Sequence, residues 1–228
     1  MAPGGHREDR QEEPARRVRR VSQLDTSSTP PPSRLIFVCT GNICRSPMAE
    51  VITRSFADAT TLGDGSTLGT RLVVTSAGTG PWHEGEPMDP RTDAALVRSG
   101  LPSYRHVAHQ ISAAQLGRYD LIVALDRRHH QTLRSLGADP HRLFLLRAFD
   151  PAAGAAADVP DPYYGDEADF DDCLAMISAS CAGLVSELTG LWDSSVRRDA
   201  SDHSDNSGDG SERGPFPASA DDGEGRVP

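Results

Sequence analysis

The chain has 228 residues and a formal charge of −10 at pH 7, with 37% hydrophobic and 5% aromatic residues. The acidic balance argues against a nucleic-acid-binding surface, and no stretch reaches the roughly 18–20 apolar residues of a membrane helix. Four cysteines in a chain of this length do not make a disulfide framework, and no apolar segment of a secretory signal follows the N-terminal arginines, so the reading is a reducing, cytoplasmic protein.

Residues 1–33 mix charge, proline and serine, ending in DTSSTPPPS; they carry too little apolar surface to fold and are expected to be a disordered tail. Residues 194–228, with ASDHSDNSGDGSERG, are expected to be a second, acidic disordered tail. Between them residues 34–193 have the size of one domain. RLIFVC (34–39) is a short continuous apolar run and predicts a buried strand. SPMAEVITRSFAD (46–58) sets Met48, Val51, Ile52 and Phe56 on one helical face, with Pro47 suited to its first turn. A glycine-rich loop (60–70) leads to a second strand, RLVVTSAG (71–78). DPRTDAALVRSG (89–100) predicts a helix stopped by Gly100. YDLIVALD (119–126) predicts a third strand running into a polar helix from Arg127 to Leu136, and RLFLLRAF (142–149) a fourth strand. A long last helix spans 166–192, with Phe170, Leu174, Ile177, Cys181, Leu184 and Leu188 as its buried stripe. Strands alternating with helices imply an α/β fold, a four-stranded parallel sheet flanked by helices on both faces. Ligands on such sheets bind beyond the carboxyl ends of the strands.

The loop after strand one lies at such an end, and it reads VCTGNICRSPMAE. The backbone must turn sharply there from strand to helix. Gly41 permits a positive φ and Asn42 tolerates one. Successive N–H groups in such a turn form an anion nest. The helix start near Ser46 adds unpaired N–H groups and the positive end of its dipole. Arg45 adds a planar fork matched to two phosphate oxygens. Thr40, Gly41, Asn42, Ile43, Cys44, Arg45 and Ser46 thus make a site for a tetrahedral oxyanion. No Gly-Lys-Ser/Thr follows, so it is not a nucleotide-binding loop. Its electropositive surroundings favour the thiolate of Cys39, and a thiolate beneath phosphorus is placed for in-line attack. Ser46 is a candidate to hydrogen-bond that thiolate and help it leave later. The competing structural reading, a buried strand-end cysteine near a surface arginine, leaves the glycine, asparagine, serine and proline unexplained.

CTGNICRSP resembles the signature of the low-molecular-weight protein tyrosine phosphatases, and the likeness runs from about Arg34 to Trp192. The resemblance implies Cys39 as nucleophile, Arg45 as phosphate clamp, and Asn42 and Ser46 as hydrogen-bonding supports. It also implies no metal and no cofactor, with phosphotyrosine-containing proteins as partners; composition and hydropathy argue for no nucleic acid and no membrane, and a monomer is expected. Such chemistry needs a proton donor. In DVPDPYYGD (158–166), Asp161 lies between two prolines that stiffen the backbone. The family's acid stands in an Asp-Pro-Tyr sequence, so the resemblance assigns Asp161 as general acid/base; Asp158 is an alternative outside the matched motif. Tyr163 and Tyr164 either line a slot for a flat ring or pack as ordinary loop aromatics. Trp82, in a Gly- and Pro-rich loop, resembles the family's other pocket wall. An aromatic slot of this kind favours phosphotyrosine.

Ile43 points the same way, since related phosphoarginine phosphatases tend to carry threonine there. The family often has a second cysteine beside the arginine, so the resemblance implies a reversible Cys39–Cys44 disulfide under peroxide. Cys173 and Cys181 read as buried packing. His109 stands where many relatives carry arginine. His83, His106, His129 and His130 show no metal-ligand grouping. The alternatives are a protein-arginine phosphatase on the same scaffold, an arsenate reductase and a non-catalytic phosphoprotein trap. The reductase needs further cysteines after the second strand, and none lies between Cys44 and Cys173. An intact Cys39, Arg45 and Asp161 disfavours the trap.

Overall fold

Apolar residues on both sides of a strand bury it twice, and that is how the first strand is used. The computed structural model describes residue 21, residues 30–154 and residues 158–205, the last few of these by backbone alone. Strand β1 (Arg34–Cys39) is buried from Leu35 onward. It lies between β2 (Val73–Gly78) and β3 (Leu121–Ala124), and β4 (Leu143–Leu145) closes the order β2-β1-β3-β4. Every neighbouring pair is parallel, so each connection must cross over, and helices make the crossings.

The two-residue period of the strands divides the core in two. Leu35, Phe37, Leu121 and Val123 face one hydrophobic cluster. Ile36, Val38, Ile122 and Ala124 face the other. The first cluster is covered by α1 (Arg45–Ala59), α2 (Pro90–Arg98) and α5 (Glu167–Asp205). The second is covered by α3 (Ala113–Leu116) and α4 (Arg127–Ser135), through Leu116 and Leu133. The sheet is therefore flanked on both faces, as expected.

Several boundaries differ from the sequence reading. RLFLLRAF is strand only to Leu145; Leu146–Phe149 is a tight 3-10 turn. That turn drives Leu146 and Phe149 into the core, against α5. A Cβ on Gly183 would come within 2.0 Å of the Phe149 carbonyl oxygen, so this close approach requires glycine. The 60–70 loop is folded, with a Thr61–Thr67 bridge and buried Leu62 and Leu68. Helix α3 was not anticipated, although its Ser-x-x-Gln start is a capping signal; Ser112 N donates to Gln115 Oε1 at 2.8 Å.

Helix α5 continues to Asp205, past the domain end expected at 193. By length and composition it could cross a membrane, but Phe170, Cys173, Ile177, Cys181, Leu184 and Leu188 are buried in the core of this domain. Most of the expected N-terminal tail and residues 206–228 lie outside the described residues. Val21 is described, and it is buried in the first cluster.

Candidate active site

Strand β1 ends at Cys39, and α1 begins at Arg45. The turn between them is held by the next strand. Thr79 N donates to Cys39 O at 2.8 Å and Gly80 N to Thr40 O at 3.1 Å. Gly78 allows this approach, since a Cβ there would lie 2.8 Å from Thr40 O. The expected positive φ falls on Asn42 (59°) and not on Gly41. Gly41 is small for another reason: a Cβ would meet the His83 ring at 2.7 Å. No side chain caps α1, so its first N–H groups remain available to an anion.

Asn42 is buried, and its polar groups are engaged from several directions. Its Nδ2 donates to Ser46 Oγ at 3.0 Å and to Ser76 Oγ at 2.9 Å. Its Oδ1 accepts from His109 N at 3.1 Å, and its carbonyl oxygen lies 2.7 Å from His106 Nε2. Ser76 donates onward to Glu50 Oε2 at 2.7 Å, and Glu50 pairs with Arg54 at 2.8 Å. Ser46 Oγ lies 3.0 Å from Cys39 Sγ and 3.2 Å from Ala77 O. Because Asn42 already donates to Ser46, the one hydroxyl proton of Ser46 is left for the carbonyl or the sulfur. A negative sulfur attracts it more strongly.

Arg45 is buried and spans the two halves of the site. One terminal nitrogen donates to Asp126 Oδ2 at 3.0 Å and Val159 O at 3.2 Å. The other donates to Thr40 Oγ1 at 3.2 Å and Asp161 Oδ2 at 2.6 Å. Two carboxylates thus offset a cation that burial alone would penalise. Asp126 also caps α4, accepting from His129 N at 2.8 Å. His129 Nε2 lies 2.8 Å from Thr40 Oγ1. Burial holds the His129 imidazole well below its ordinary pKa and keeps it neutral.

These groups surround a cleft of about 400 Å³ with Cys39, Thr40, Gly41, Ile43, Cys44 and Arg45 along its base. Trp82, His83, Tyr163 and Tyr164 form its walls, and Asp161 joins the lining. Trp82 is 68% exposed and Tyr164 96%, so neither serves as core packing. Asn42 and Ser46 do not line the cleft; they sit buried beneath it. Asp158 is turned away, paired with Arg127 at 3.2 Å. Burial, with Cys39 close by, pushes the Cys44 thiol far above its ordinary pKa. Burial raises Cys173 and Cys181 to about 12 each, and both pack from α5 into the core.

Sequence reasoning missed Ser76, Glu50, His106, Asp126 and His129. Asp126 carried a signal, an aspartate just before a polar helix. The others reach the loop only through the fold.

A family model described as "Low molecular weight phosphotyrosine protein phosphatase" matches residues 34–194. A low molecular weight protein-tyrosine-phosphatase of Streptomyces coelicolor is 46% identical over 159 residues, 68% of this chain and 93% of that protein. Among solved structures, a protein tyrosine phosphatase of Entamoeba histolytica superposes with a TM-score of 0.62 at 27% identity, covering 68% of this chain and 96% of that one. The YwlE arginine phosphatase of Bacillus subtilis, solved with a phosphorylated active-site serine, gives 0.58 at 27% identity over 68% and 95% of the two chains.

Proposed function

Because this chain belongs to the low molecular weight phosphotyrosine protein phosphatase family, we propose that it hydrolyses phosphotyrosine with Cys39 as nucleophile, Arg45 as phosphate clamp and Asp161 as general acid and base. The observation that carries the assignment is the cleft itself. Cys39 lies at its base, and Arg45 and Asp161 meet there at 2.6 Å.

The phosphoryl group would sit on the loop N–H groups and the Arg45 fork, with the tyrosine ring between Trp82 and Tyr163. The Cys39 thiolate attacks phosphorus and forms an S–P bond as the P–O bond to tyrosine breaks. The leaving oxygen takes the proton of the Asp161 carboxyl, which avoids expelling a phenolate whose conjugate acid has a pKa of about 10. Water then attacks phosphorus and gives a proton to the Asp161 carboxylate. The S–P bond breaks, inorganic phosphate departs, and Ser46 stabilises the returning thiolate by its hydrogen bond.

All four cysteines are unpaired, which supports a reducing, cytoplasmic setting. Cys44, five positions after Cys39 and lining the same cleft, supports the further reading that the two form a protective disulfide under peroxide.

The fold likeness to an arginine phosphatase keeps one alternative substrate in view. Phosphate release from a phosphotyrosine peptide and a phosphoarginine peptide at equal concentration separates them. The expected result is preference for phosphotyrosine. Preference for phosphoarginine would overturn the substrate while keeping the chemistry.

A further inference from the structure

Asp161 sits on a loop, and a loop must be held if its carboxyl is to reach a leaving oxygen. The segment before Asp161 is held by Val159, whose N–H donates to Leu125 O at 2.9 Å and whose carbonyl accepts from Arg45 at 3.2 Å. The segment after it is held by a residue outside the cleft. Arg91 NH1 donates to Gly165 O at 3.1 Å and NH2 to Tyr163 O at 3.0 Å. The same guanidinium grips Asp89, with Nε to Oδ1 at 3.0 Å and NH2 to Oδ2 at 2.8 Å. Its flat face lies 4.5 Å from the Phe170 ring centroid and 5.9 Å from that of Tyr163.

Asp89 is itself fixed to the nucleophile loop. Its N–H donates to Ile43 O at 2.9 Å, and its Oδ1 accepts from Arg91 N at 2.8 Å as the cap of α2. A continuous path therefore runs from the Ile43 carbonyl through Asp89 and Arg91 to the carbonyls that flank Tyr164. Tyr163 N in turn lies 3.3 Å from Asp161 Oδ1. Only a planar fork serves a carboxylate and two carbonyls at once; a lysine ammonium has no such geometry.

We propose that Arg91 is a positioning residue for the general acid, setting the Asp161 loop at a fixed height over the nucleophile loop. The inference rests on the reading of Asp161 as the acid. Arg91 touches neither phosphate nor the reacting atoms; it acts through the 163–165 backbone. Its loss should therefore matter most where the leaving group needs a proton most.

The test compares the full-length protein with Arg91→Lys, Arg91→Met and Asp161→Asn on two substrates. The phenolate of tyrosine leaves phosphorus poorly without a proton; the p-nitrophenolate of p-nitrophenyl phosphate leaves well. General acids contribute about 10²–10⁴-fold, so Arg91→Met should lose about tenfold or more in kcat/KM on phosphotyrosine, and clearly less on the activated ester. Arg91→Lys should behave like Arg91→Met, and it decides alone if the methionine variant does not fold. Equal losses on both substrates, or none, would overturn the proposal when Asp161→Asn still shows the leaving-group dependence. If Asp161→Asn shows no such dependence, the acid assignment fails and the proposal falls with it.

Discussion

The two loops that meet over the cleft are built differently. The nucleophile loop is short, buried and locked from beneath. Asn42 alone engages Ser46, Ser76, His106 and His109. The acid loop is half exposed and is held at its two ends, by Leu125 and Arg45 on one side and by Arg91 on the other. The difference matches their tasks. A nucleophile must find its anion already organised. An acid must meet leaving groups that enter and depart, so it sits on a segment with fewer restraints.

The largest expected effect separates the two loops outright. Cys39→Ser should lower phosphotyrosine hydrolysis by about 10⁴-fold or more on every substrate, as loss of an activated nucleophile does. Stopped assays with phosphotyrosine and p-nitrophenyl phosphate check it. A loss that depended on the leaving group would assign the nucleophile elsewhere. Next in size is Asn42→Ala. It removes the side chain that ties the loop from below and puts alanine at a φ of 59°. Each buried partner left unsatisfied costs about 1–3 kcal/mol, so both the melting temperature and kcat should fall. A normal kcat with a lowered melting temperature would mean that the lock serves the fold and not the chemistry.

Trp82→Ala tests the exposed rim. It should raise KM for phosphotyrosine peptides several-fold, by about the 0.5–1.5 kcal/mol of one aromatic contact, and leave kcat nearly unchanged. A fall in kcat with KM unchanged would remove Trp82 from the binding wall.

The smallest effect is the pH dependence of stability. Burial lowers the pKa of His129, His106 and His130 in the folded chain. As pH falls through the ordinary imidazole value of about 6.5, the unfolded chain takes up protons that the folded chain refuses, so stability drops toward the folded values. Thermal melts at pH 7 and pH 5 should show a lower midpoint at pH 5, and His129→Asn should shrink that difference. A midpoint unchanged or raised at pH 5 would contradict the neutral, buried state of His129.

The nucleophile loop was legible because its chemistry is local. Cys39, Asn42, Arg45 and Ser46 stand within eight consecutive positions, and each residue type states its own requirement. Only the site of the positive φ stayed open between Gly41 and Asn42, because both residue types allow it; tertiary contacts place it on Asn42. The strands of the sheet were legible for the same reason, a continuous apolar run needing no partner to be recognised. RLFLLRAF was read too long because apolar runs do not distinguish a buried strand from a buried turn. The supports stayed hidden. Ser76, His106 and His129 look like ordinary polar residues until the fold carries them to Asn42 and Thr40. Arg91 stood in plain view in DPR, but nothing local says that its fork reaches Tyr163 and Gly165.

Arg45 has a further consequence, for the order in which the protein is made. Its partners Asp126, Val159 and Asp161 lie 81, 114 and 116 positions further along the chain. The helix that covers α1 comes later still. A nascent chain that has released Cys39 and Arg45 from the ribosome therefore carries the signature without the site. The Arg45 partners of the site are complete only once residues 126–161 have followed it. Phosphatase activity in this protein is in effect a report that translation has reached the far end of the domain.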